Sequence, residues 1–98
     1  MVGLPAARMT DQHKCPKVEA PPPKPHVGGP IETGCFTVVI GGLPAARVTD
    51  KAFCVGPTDE IQQGSETVII GGQKAARLSD KCVHGGSISE GCFTVLIG

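Results

Sequence analysis

The sequence predicts an all-β fold of three pseudo-equivalent units around one axis, and two alternating repeats carry that prediction. The first is Gly3-Leu4-Pro5-Ala6-Ala7-Arg8-Met9-Thr10-Asp11, which returns as Gly42 to Asp50 and, with Gln73 and Lys74 in place of Leu-Pro, as Gly72 to Asp80. The second is a β-branched run bounded by glycine: Gly34 to Gly41, Gly64 to Gly71 and Gly91 to Gly98. Such runs read as strands ended by turns. No ten-residue window shows helical apolar spacing free of Gly and Pro, which leaves strands and loops.

Taken in order, the first block is followed by a proline-rich stretch, Ala20-Pro21-Pro22-Pro23-Lys24-Pro25. It accounts for the longer spacing between Arg8 and Arg47 than between Arg47 and Arg77, 39 residues against 30. Proline favours extended, unpaired backbone, so a loop at about 16–30 is expected on one face of a single domain covering 1–98. The strands are expected at Phe36–Ile40, Thr67–Ile70 and Phe93–Ile97. Each of the first two runs through Gly-Gly into the next block, whereas the last stops at Gly98 and the chain begins just before the first block. Joined end to end, the termini complete the third unit, as a closed ring requires.

Composition says what must hold such a ring together. The 98 residues include 14 Gly, 9 Pro, three Phe and no Tyr or Trp, too few large apolar side chains for an ordinary core. Domains of this kind rely on disulfides, a metal or a partner. Five Cys is an odd number, and with three His the thiols suit a metal in a reducing compartment. Nine basic residues balance nine acidic ones, which argues against nucleic acid and anionic membrane surfaces. No run is long enough to span a bilayer and the N-terminus lacks the pattern of a secretory leader, so cytoplasmic synthesis is expected without stable membrane insertion.

Aligned on the strands, one metal-capable side chain recurs per unit: His26 eight residues before Gly34, Cys54 ten before Gly64, and His84 seven before Gly91. His13 is the remaining histidine, and the expected set is His13, His26, Cys54 and His84 around one structural zinc ion, which accepts imidazole nitrogen and thiolate sulfur. Counting instead from the aspartates, Cys15, Cys54 and His84 each lie four residues on, while His13 and Cys82 lie two residues on. Replacement of one member by Cys15 or Cys82 therefore stays open. Cys35 and Cys92 open their strands and read as small buried packing residues, with a disulfide between them as the weaker reading. Arg8, Arg47 and Arg77 precede Asp11, Asp50 and Asp80 by three residues, which suits either a brace or contacts to a partner, or nothing beyond local Thr-Asp and Ser-Asp turns. Nothing in the pattern supplies a nucleophile with its base and a pocket, so no enzymatic activity is expected.

Leu4-Pro5-Ala6-Ala7-Arg8, Leu43-Pro44-Ala45-Ala46-Arg47 and the variant Lys74-Ala75-Ala76-Arg77 make the sequence similar to the PAAR-repeat proteins, over essentially its whole length. The resemblance implies a small cone of short strands with zinc near its tip, and its usual set of three His and one Cys maps onto His13, His26, His84 and Cys54. It implies a structural tip that caps and sharpens the homotrimeric VgrG-type spike of a type VI secretion system, aids membrane puncture and carries effector proteins. Such a tip is a monomer when free, and is cytoplasmic until firing carries it on the spike into a target cell. The third unit ends at Gly98, so no fused toxin domain is expected. The tip of a contractile phage tail spike and a free-standing zinc-binding module are the alternatives.

Overall fold

A computed structural model describes residues 3–15, 18–19, 24–25, 28–54 and 57–98. Its eleven strands are β1 (Leu4–Ala6), β2 (Val18–Glu19), β3 (Lys24–Pro25), β4 (Gly28–Ile31), β5 (Cys35–Ile40), β6 (Leu43–Ala45), β7 (Lys51–Cys54), β8 (Asp59–Glu60), β9 (Ile69–Ile70), β10 (Gln73–Lys74) and β11 (Cys92–Ile97). There is no helix among the described residues, so the fold is all-β as expected. The body is elongated, 42 × 28 × 22 Å.

The Gly-Gly pairs make the hairpins. Ile40 pairs with Leu43 and Ile70 with Gln73 across two-residue turns. Both glycines of each turn have positive φ, +56° and +84° at Gly41 and Gly42, the type I′ geometry that matches strand twist and that side chains resist. The third unit closes without a turn, because Leu4 of β1 pairs with Ile97 of β11. The ring expected from the two ends of the sequence is therefore formed.

Around the axis the backbone repeats as a three-membered cycle. Ala7 N–H donates to the Ala76 carbonyl, Ala76 to Ala46 and Ala46 to Ala7, each at 3.0 Å. Only a residue as small as alanine lets three chains approach this closely. A second cycle joins Met9 to Pro44, Val48 to Lys74 and Leu78 to Pro5 at 2.8–2.9 Å.

Two apolar layers stack along this axis. One holds Ile40, Ile70 and Ile97 with Ala6, Ala45 and Ala75, and includes Cys35 and Cys92. The next holds Ala7, Ala46 and Ala76 with Ile31, Ile61 and Ile88, plus Ala52 and Cys82. Small side chains in threefold sets replace the aromatic core that composition denies the chain.

Two expectations need adjustment. The middle strand is confined to Ile69–Ile70; Ser65, where the other units have cysteine, accepts hydrogen bonds from the N–H groups of Thr67 and Val68. The stretch expected as a proline-rich loop contains a short ladder, Val18 with Pro25 and Glu19 with Lys24. A two-stranded ladder has only edges, where proline is tolerated. Residues 16, 17, 20–23, 26 and 27 of that stretch lie outside the described residues.

Candidate metal centre

Three turns aim the chain at the site. In each, Asp N–H donates to the Arg carbonyl three residues back (3.0–3.1 Å), and the residue between, Thr10, Thr49 or Ser79, has φ of 73° to 80°. This is type II geometry, which ordinarily calls for glycine at that position. What holds it is the aspartate. Asp11, Asp50 and Asp80 are all buried, and each accepts the backbone N–H, Nε and Nη2 of its own arginine at 2.7–3.2 Å. Of the readings open for the Arg–Asp repeat, the brace is the one the structure forms.

Beyond each brace the side chains alternate with period two. Lys51 and Phe53 point outward while Ala52 and Cys54 are buried. The first unit follows with Gln12 and Lys14 outside and His13 and Cys15 inside, and the third with Lys81 and Val83 outside, Cys82 inside and His84 nearly so. Two inner levels result. The level nearer the core holds His13, Ala52 and Cys82, and the next holds Cys15, Cys54 and His84.

The outer level is a metal-capable group. The ligand atoms of Cys15, Cys54 and His84 all lie within 4.8 Å of one another. The Cys54 thiol donates to Cys15 Sγ at 2.9 Å, and Cys15 Sγ is 3.3 Å from His84 Nδ1. Tetrahedral zinc, with Zn–S of about 2.3 Å and Zn–N of about 2.0 Å, separates its ligand atoms by about 3.3–3.8 Å. Two thiols and an imidazole converging at that scale fit such an ion, and two thiolates would balance its charge. None of the five cysteines is in a disulfide.

Of the residues expected from sequence, the structure thus brings Cys54 and His84 together, with Cys15 as their companion. His13 is not a member of that group: its Nδ1–H donates to the Gly29 carbonyl at 2.8 Å and its Nε2 faces Asp59 Oδ2 at 3.1 Å. His26 lies outside the described residues. Cys82 packs in the apolar layer, where burial, reinforced by the negative charge of Asp59, pushes its thiol up to about 12 and keeps it protonated. At the other end of the molecule Cys35 and Cys92 are buried against Thr37 and Thr94, whose hydroxyls lie 3.1 Å from the sulfurs.

Sequence reasoning passed over Asp59, whose side chain is fully buried. It stands two residues before Ile61, the register of Gly29 before Ile31 and Gly86 before Ile88. An acidic residue at a position filled by glycine in the other two units was the available signal.

A protein-family model described as the PAAR motif matches residues 21–90, well over half of the chain. Comparison with curated proteins returns no match.

Proposed function

Because the chain belongs to the PAAR-motif family, a family of spike-tip proteins of type VI secretion, we propose that it caps and sharpens a trimeric VgrG-type spike. The observation that carries this reading is the threefold set of exposed apolar side chains on the strands at the end away from the metal-capable group. Val39, Ile69 and Leu96 occupy equivalent positions and are 62%, 58% and 53% exposed, and Phe36 and Phe93 are 74% exposed. A pseudo-threefold face of this kind suits a homotrimer, which offers the same surface three times to one capping chain. Effector proteins would be carried by attachment to such a tip.

At the opposite end, the proposed ion is one structural zinc held by Cys15, Cys54 and His84, with His26 as fourth ligand. This differs from the set expected by sequence in taking Cys15 for His13. Support for His26 comes from the sequence, where it stands two residues before Gly28, the β-partner of Cys54. The ion would supply cohesion where three segments of the chain converge beyond the apolar layers, and structural zinc contributes on the order of 10 kcal/mol.

The test is assembly. Mixed with its cognate spike trimer, the protein should elute as a complex of one chain per trimer by light scattering, and the triple substitution Val39→Asp, Ile69→Asp, Leu96→Asp should abolish it. Failure of the wild-type chain to bind a trimeric spike, or equal binding by the triple variant, would overturn the reading.

A further inference from the structure

We propose that His13 and Asp59 form a positioning pair for the metal ligands Cys15 and His84, an inference that rests on the metal reading above. Both side chains are fully buried. His13 is anchored twice on Gly29, through its backbone N–H at 3.0 Å and its ring Nδ1–H at 2.8 Å. With Nδ1 donating, Nε2 is left facing Asp59 Oδ2 at 3.1 Å, and among the described residues neither atom makes a well-aligned hydrogen bond.

The pair spans the segments that carry ligands. His13 stands two residues before Cys15 on the same inward face. The other oxygen of Asp59 accepts the backbone N–H of His84 at 3.0 Å and that of Glu60 at 2.8 Å, and Oδ2 lies 3.9 Å from His84 Nδ1. Gly28 is packed so closely on the His13 carbonyl that a side chain there would collide with it, which locks the strand opposite Cys54 to the same residue. One buried pair thereby ties together the backbones around the ligand group.

Comparison of the three units within the molecule argues against a role in folding alone. The positions equivalent to His13 are Ala52 and Cys82, and those equivalent to Asp59 are Gly29 and Gly86. Two faces therefore reach the same geometry with no buried polar pair. A buried pair of polar side chains is seldom more stabilising than an apolar replacement of similar volume. Carboxylate and carbonyl partners that orient metal ligands, by contrast, typically change metal affinity 10- to 100-fold when removed.

The experiment compares wild type with Asp59→Asn, His13→Gln and the double variant His13→Ala, Asp59→Gly, which copies the residues of the other two faces. Zinc affinity is read by chelator competition, and ligand geometry by the visible spectrum of the cobalt-substituted protein, with circular dichroism reporting the fold. The expected result is stoichiometric zinc in wild type, affinity roughly 10- to 100-fold weaker in each variant, and an altered cobalt spectrum. Folded variants with wild-type affinity and spectrum would overturn the pair's role, and so would weaker affinity with an unchanged spectrum, which would mark a contribution to stability alone. If the double variant does not fold, the two single variants decide. A wild-type chain that binds no zinc would instead overturn the metal reading.

Discussion

Replacing Asp50 by alanine should destabilise the protein more than the same change at Asp11, although the two residues occupy the same place in the repeat. Asp50 accepts four hydrogen bonds: from Arg47 N–H at 2.7 Å, from Arg47 Nε and Nη2 at 3.1 and 3.2 Å, and from the Thr33 hydroxyl at 2.8 Å. The backbone bond to a buried carboxylate is worth about 1.5 kcal/mol and the hydroxyl bond about 1. The guanidinium fork is partly exposed and, with screening, adds about 0.5. The sum is about 3 kcal/mol, or about 15 °C in melting temperature for a chain of this length. Asp11 accepts the same three bonds from Arg8. At the register of Thr33, however, its unit has Glu90, whose carboxylate accepts the Gln12 N–H and has no hydroxyl to give. Asp11→Ala should therefore cost about 2 kcal/mol, roughly 10 °C. Calorimetry at one fixed zinc concentration measures both. A loss below about 4 °C at Asp50, or a larger loss at Asp11, would show that the Thr33 hydroxyl bond adds nothing to the brace.

Other consequences can be checked with the same preparations. Thr49 has φ of 79° and an exposed side chain, so Thr49→Gly should relieve about 1–2 kcal/mol of backbone strain against a smaller entropy cost, raising the melting temperature by a few degrees; a fall of 5 °C would contradict it. Ala46→Val should cost about 1–3 kcal/mol by overpacking the alanine cycle, and an unchanged melting curve would show that the axis is looser than described. Iodoacetamide at neutral pH should label Cys35 and Cys92, whose thiols are lowered chiefly by hydrogen bonds from Thr37 and Thr94 and further by Arg47 and Arg8, well before Cys82, held at about 12 by burial. Peptide mass spectrometry finding Cys82 labelled as fast as Cys35 would overturn that order.

How far the sequence could be read depended on whether a feature was repeated. Gly-Gly after a β-branched run meant a tight hairpin both times it occurred within the chain, and the missing third copy correctly implied pairing of the two ends. The metal-capable positions were harder because two registers competed. Counting back from the strands spans loops of unequal length, ten residues in one unit and seven in another, whereas counting forward from each aspartate follows a braced turn into an alternating strand. The second count leads to Cys15, Cys54 and His84, and puts His13 one inner level away, with Ala52 and Cys82 as its equivalents. Chemical identity favoured histidine where backbone periodicity favoured cysteine, and periodicity determines which side chains converge. Asp59 departs from the repeat, and that departure buries a carboxylate beside the group formed by Cys15, Cys54 and His84.

Zinc-edge X-ray absorption on the purified protein tests the metal-pinned tip most directly. The expected result is one zinc per chain with two sulfur neighbours at about 2.3 Å and two nitrogen neighbours at about 2.0 Å, from Cys15, Cys54, His84 and His26. One sulfur with three nitrogens would restore His13 in place of Cys15, and protein without stoichiometric zinc, or zinc bound mainly by oxygen, would contradict the account.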